Sequence, residues 1–141
     1  PDQWKLLQSA PDAITDTAVE EFLRFDAPLH FFDRTATADT QIGGVAIKEG
    51  QKIVSLLGSA NRDEDVFVDS DRMDLTRNPN PHIGFGAGIH FCLGAPLARL
   101  ELNASLPLLF ERFPEVKLAS KPARRDTFVL RGYETIPVNI G

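Results

Sequence analysis
Cys92 is the one cysteine of the chain, and it lies in Phe85-Gly86-Ala87-Gly88-Ile89-His90-Phe91-Cys92-Leu93-Gly94, with a good helix start directly after. A lone thiol can form neither an internal disulfide nor a multi-cysteine zinc site. In an apolar loop rich in glycine it can donate a thiolate to a single metal, because glycines let backbone N–H groups come close to the sulfur. Outside such a loop a single cysteine is most often a small buried hydrophobe. The same glycines invite a nucleotide-binding reading, which fails on chemistry. Gly84-Phe85-Gly86-Ala87-Gly88-Ile89 has Ile where a dinucleotide fingerprint needs its last glycine, and no Lys-Ser/Thr pair follows to make a phosphate loop.

The chain that must position this loop has 141 residues, enough for one domain with a core. Hydrophobic residues at 43% and charged residues at 25% are those of an ordinary soluble globular protein. Fifteen Lys and Arg against twenty Asp and Glu leave a net charge of −5, which argues against a general affinity for nucleic acid. No apolar run approaches the roughly 18 residues of a membrane span. A single cysteine suits a reducing compartment, so a cytoplasmic location is expected. The opening Pro1-Asp2-Gln3-Trp4 carries neither an initiator Met nor a signal-peptide pattern and reads as a cut end, which leaves any upstream signal or anchor open.

A first helix is expected from Thr15–Thr17, where Thr17 and Glu20 have capping-box spacing, until Pro28 forbids its continuation. Ile42 to Ile47 and Gln51 to Leu57 read as two strands joined by Lys48-Glu49-Gly50. Asn61 to Asn80 lacks periodicity and reads as a meandering loop that ends in the breaker Asn78-Pro79-Asn80-Pro81. A second helix is expected from Pro96 to Phe113, with Leu97, Leu100, Ala104, Leu108 and Phe110 or Glu111 on its apolar side. Pro107 within it removes the bond to the Asn103 carbonyl, at roughly 3 kcal/mol unless the surroundings absorb the loss. Thr127 to Arg131 and Ile136 to Ile140 read as a closing hairpin around Gly132 to Thr135. Helix, hairpin, long loop, helix and hairpin make an α+β order.

The cysteine loop resembles that of the cytochrome P-450 (haem-thiolate monooxygenase) family, whose pattern of Phe, two residues, Gly, three residues, Cys, one residue, Gly falls on Phe85, Gly88, Cys92 and Gly94. His90 before the cysteine and Gly94-Ala95-Pro96-Leu97-Ala98-Arg99 after it look like the soluble bacterial branch. Glu21-Phe22-Leu23-Arg24 matches the family's Glu-x-x-Arg helix, although charges three apart on a helix are common by themselves. The resemblance implies the C-terminal part of a mainly helical fold over residues 1–141: Glu-x-x-Arg helix, β-hairpin, meander, cysteine loop, long helix and C-terminal β-hairpin. The family's oxygen-activating central helix would be absent from such a segment.

The resemblance further implies haem b (iron protoporphyrin IX) with Cys92 as axial ligand and catalytic centre, and backbone donors to its sulfur from Leu93 and Gly94. Gly94 would let the helix start pass close to the porphyrin, and Phe85 would cover the sulfur, within the cofactor-binding loop that includes Gly86 and Gly88. Arg34 and His90 would contact the haem propionates. Glu21 and Arg24 would brace the site with Arg72 as third arm, although Ser70 and Met73 replace the usual proline and aromatic around it. Asn61-Arg62-Asp63 matches a structural segment, and Leu29, His30, Phe31, Val129 and Leu130 match positions that line the substrate pocket. The implied activity is insertion of one oxygen atom from O2 into a small apolar organic substrate, with electrons supplied through an iron–sulfur or flavin redox partner. Two readings stand against it. The isolated chain is then a catalytically incompetent segment that binds haem weakly or not at all and self-associates, or it is an unrelated α+β interaction domain with one core cysteine.

Overall fold
Two helices open the chain and lie against the last long one. In the computed structural model, which describes residues 2–141, α1 spans Asp2–Ser9, α2 Pro11–Phe25 and α4 Ala95–Arg112, with the short α3 at Leu57–Ala60 between them. α2 starts at Pro11, ahead of the expected Thr15–Thr17, because a proline in the first helical turn loses no bond. Thr17 is therefore an interior residue of the helix and not its cap. α1 was not expected at all.

The core forms where these helices meet. Leu7 of α1, Ala18 of α2, Leu75 of the meander, Phe110 of α4 and Val116 beyond it are buried together, with Phe22, Met73, Leu106 and Phe113 packed around them. Trp4 meets Phe110 edge to face at 4.9 Å. α4 runs unbroken through Pro107. Its orientation reverses the expectation for its apolar stripe. Ala95 and Phe110 face inward, with Leu102 and Leu106 half-buried, whereas Leu97, Leu100, Ala104, Leu108 and Glu111 are exposed. The helix is apolar on both sides, so periodicity alone could not say which side meets the core.

The sheet elements are four small antiparallel pairs, and their pairing corrects both expected hairpins. Ile42–Ile47 is not one strand. Thr40–Ile42 (β2) pairs with Val45–Ile47 (β3) around Gly43 and Gly44, whose φ values of 56° and 81° make the tight two-residue turn that favours glycine. Lys52–Ser55 (β4) pairs instead with Phe32–Thr35 (β1), in a register that sets Arg34 opposite Ile53. At the other end, Lys117–Leu118 (β5) pairs with Val138–Asn139 (β8), and Ala123–Arg124 (β6) with Tyr133–Thr135 (β7). Thr127–Arg131 is thus a loop, held against the segment after α2 by a bridge between Leu130 and Leu29 and by the Arg131 N–H on the Pro28 carbonyl at 2.8 Å. Asn61–Asn80 is a chain of turns, as its composition predicts. Among the described residues no helix is long and apolar enough to cross a membrane.

Candidate functional site
The cysteine loop is built from turns that only a few residues can make. Gly86 and Gly88 adopt φ of 74° and 65°, and a single 3₁₀ turn at Gly88–His90 brings the chain back on itself. Three backbone bonds then close it: Gly86 N–H to the Ile83 carbonyl at 2.8 Å, Phe91 N–H to Gly88 at 3.1 Å, and Cys92 N–H to Phe85 at 3.0 Å. Cys92 is exposed, and Gly94 as N-cap begins α4 immediately beyond it. A Cβ on Gly94 would stand 3.8 Å from the Cys92 sulfur, so the helix start passes directly beside the thiol. Neither Leu93 nor Gly94 gives its N–H to a backbone acceptor among the described residues. Free N–H groups at the positive end of a helix, next to a sulfur, suit a thiolate.

Cys92 opens onto a cleft of about 520 Å³ walled by Leu23 of α2, Leu29, Phe32, Ala87, and Ala98 and Leu102 of α4. Phe85, Gly86, His90 and Arg34 lie on the same cleft. The Arg34 guanidinium sits 4.3 Å from the centre of the Phe32 ring and donates from Nη1 to the Asp33 carbonyl at 2.8 Å, which leaves most of its donors unused. One thiol, a guanidinium and an imidazole on an apolar cleft form a donor set suited to a largely apolar group with a thiolate-binding metal and an anionic edge. Of the five residues matched to a substrate pocket, only Leu29 lies on this cleft. His30 and Phe31 line a separate hollow with Phe128, whose ring is 5.3 Å from that of Phe31. Val129 and Leu130 are exposed; the Val129 carbonyl accepts the His30 N–H at 3.4 Å. Burial and the neighbouring Arg131 guanidinium, 3.1 Å away, hold the His30 imidazole below its ordinary pKa.

Behind the cleft, Arg24 and Glu21 are fully enclosed. Arg24 makes a two-pronged pair with Glu21, both contacts at 2.8 Å, and its remaining N–H groups reach the carbonyls of Asn61 and Ser70 at 2.8 Å and Arg72 at 3.1 Å. Arg72 therefore contributes its backbone, while its side chain is exposed. In place of the Arg72 side chain expected as third arm, Arg77 approaches, its Nε 3.3 Å from Glu21 Oε2, an ion pair by distance that is not aligned as a hydrogen bond. Asp71-Arg72 sits at a turn that points its side chains outward, and the chain reaches Glu21 only further along. Glu21 also accepts from the Asp74 N–H at 2.8 Å and from Asn80 at 3.1 Å. Burial by itself would raise its pKa; these donors and the two guanidinium charges outweigh it, and the net shift is downward. Asn61 holds the entry to the cysteine loop, its Oδ1 accepting the Ile83 N–H at 2.8 Å.

Glu20, read from the sequence only as a capping-box partner of Thr17, takes a role at the site together with His82 and Arg99, to which the sequence assigned none. Glu20 meets His82 at 2.8 Å and Arg99 at 2.5 and 2.8 Å, joining α2, the approach to the cysteine loop and α4. The Arg99 bond, helped by the His82 contact and both neighbouring charges, holds the Glu20 carboxyl below its ordinary pKa despite burial. The only sequence trace of this is the doubled acid Glu20-Glu21, since consecutive helical residues face different neighbours.

A model of the cytochrome P-450 family matches residues 2–135. Among curated proteins, the chain is 46% identical to the nocardicin C N-oxygenase of Nocardia uniformis subsp. tsuyamanensis, over 98% of this chain and 36% of that protein. It is 41% identical to the steroid C26-monooxygenase of Rhodococcus jostii (strain RHA1), over 99% of this chain and 29% of that protein. Among solved structures, it is similar to P-450 BioI in complex with acyl carrier protein ligated to hexadec-9Z-enoic acid, with a TM-score of 0.95 and 42% identity over 100% of this chain and 37% of that one. The tirandamycin C-bound monooxygenase TamI gives a TM-score of 0.92 at 40% identity, over 99% of this chain and 36% of that one. The chain thus spans about a third of the length of the proteins it matches, and it corresponds to their C-terminal part.

Proposed function
The chain belongs to the cytochrome P-450 family, whose members bind haem, and on that premise we propose that the Cys92 cleft is the thiolate side of a haem site in a monooxygenase. The observation that carries the reading is the meeting of Arg34 from β1 with His90 and Cys92 of the cysteine loop on one apolar cleft, from two separate parts of the chain. When bound there, haem b supplies reductive activation of O2 and insertion of one oxygen atom into an organic substrate. The chain's own residues hold and tune it. Cys92 would give the iron its sulfur ligand, and the N–H groups of Leu93 and Gly94, without backbone acceptors among the described residues, would stabilise the thiolate charge. Arg34 and His90 would hold the haem carboxylates, and Phe85 would keep water from the sulfur side. Glu21, Arg24 and Arg77 keep α2 and the meander in register beneath.

Residues 1–141 serve on this reading as the C-terminal haem-ligating segment. The substrate class on this reading is a small apolar organic molecule, suited to the apolar lining of the cleft. Electrons come from a nicotinamide cofactor through an iron–sulfur or flavin protein that docks on the exposed Cys92 side. In the complete gene product reconstituted with haem, the reduced carbon monoxide complex is expected at the long-wavelength position of thiolate ligation, and Cys92→Ser abolishes it. An unchanged band in Cys92→Ser overturns the assignment. Arg34→Ala accelerates haem loss by roughly 10- to 100-fold, as for a lost charge-assisted hydrogen bond, and His90→Ala by less. Unchanged haem retention in Arg34→Ala makes that residue a plain surface charge. A second reading, a chain that binds haem weakly or not at all and acts as an association surface, draws on the exposed leucines of α4. The same spectra decide between the two.

A further inference from the structure
We propose that Glu20 is a positioning residue for Cys92, holding both ends of the cysteine loop on α2 through a single carboxylate. His82 stands before the loop and Arg99 after it, and both bind Glu20. The His82 ring is almost wholly enclosed, and its Nδ1 accepts the Gly84 N–H at 3.1 Å, so the ring proton sits on Nε2 and points at Glu20. Gly84 in turn rests on the backbone of α2: a Cβ there would come within 2.7 Å of the Leu23 carbonyl oxygen.

The second arm converges on the same place. The Arg99 guanidinium, clasped by both Glu20 oxygens, lies 4.8 Å from the centre of the Phe85 ring. Phe85 follows Gly84 and accepts the Cys92 N–H through its carbonyl. The two arms thus fix neighbouring residues, and the second of these is bonded to the residue that carries the thiol. Glu21, one position along, binds Arg24, Arg77 and the meander, so the adjacent acids divide the work. Arg99 has a planar fork that takes both oxygens of one carboxylate, and an ammonium in its place would not cover the Phe85 ring in the same way.

The test is amide hydrogen exchange on the complete gene product without haem, which keeps this inference separable from the haem assignment. Glu20→Gln preserves an acceptor for His82 and removes the charge that clasps Arg99. Exchange at residues 84–92 is expected to rise about tenfold in Glu20→Gln and in Arg99→Gln, the scale of one lost charge-assisted hydrogen bond. The β1–β4 pair should be unaffected. Arg99→Lys, which keeps charge and a donor, should fall between wild type and Arg99→Gln, and it serves as the milder variant if the others fold poorly. The double variant Glu20→Gln/Arg99→Gln should be no worse than either single one. Unchanged exchange at 84–92, additive effects in the double variant, or an equal rise in β1–β4 each overturn the proposal, the last by reducing Glu20 to a general stabiliser.

Discussion
Glu20 and Glu21 are neighbours in sequence whose carboxyls are both held below the ordinary value of 4.5, by different partners. For Glu20 the Arg99 hydrogen bond is the largest influence; for Glu21 burial opposes ionisation and the surrounding donors overcome it. A carboxyl whose folded pKa lies below its unfolded one adds stability above the unfolded value and loses it as pH falls through the folded one. Urea unfolding midpoints should therefore hold steady near neutrality and drop below about pH 4.5, more steeply in wild type than in Glu20→Gln. Equal slopes would show that Glu20 does not gain its charge stabilisation on folding. Glu21→Ala strands the enclosed Arg24 guanidinium and should cost about 3–5 kcal/mol, read from the same titrations at neutral pH.

Helix α2 is the element against which the site is assembled. One of its faces joins the core through Ala18 and Phe22, another encloses Glu21 and Arg24, and the Leu23 carbonyl touches Gly84. Gly84→Ala is the direct test of that last contact. The added methyl meets backbone, which cannot swing aside, so a destabilisation of about 1–3 kcal/mol is expected, with faster exchange at the cysteine loop. A neutral substitution would show that loop and helix part easily. The strands tell the opposite story about legibility. Their residue types mark extended structure around 40–57, but β1, which partners β4 and carries Arg34, has the unremarkable sequence Phe32-Asp33-Arg34-Thr35. Strand pairing depends on which backbone edges meet, and residue types along one segment do not state that.

At the scale of the molecule, α4 offers an unusual outer surface. Leu97, Leu100 and Leu108 are 58%, 66% and 63% exposed, with Leu109 beside them. Apolar surface gathered on one helix favours association. The isolated 141-residue chain should sediment as a dimer or larger assembly at moderate concentration, and Leu97→Glu with Leu100→Glu should return it toward monomer. It should also lack monooxygenase turnover with a generic electron supply, since a cleft of this openness leaves reactive chemistry exposed to water. A monomer that oxygenates a substrate would refute both expectations.

The spacing of Phe85, Gly88, Cys92 and Gly94 was legible without any structure, because the loop needs backbone conformations such as the positive φ of Gly86 and Gly88 that glycine alone adopts readily, so the local motif carries its own geometry. The Glu21–Arg24 pair and the long helix after Gly94 were legible for the same reason, being set by contacts within a few residues. What only the tertiary structure decided are partners brought from far along the chain: Arg77 in place of the Arg72 side chain, and Glu20 with His82 and Arg99. It also decided which side of α4 faces the core. A helix apolar on both sides has no preferred direction until another surface covers one of them, and a charged residue has no assigned partner until folding removes the water that would otherwise serve it.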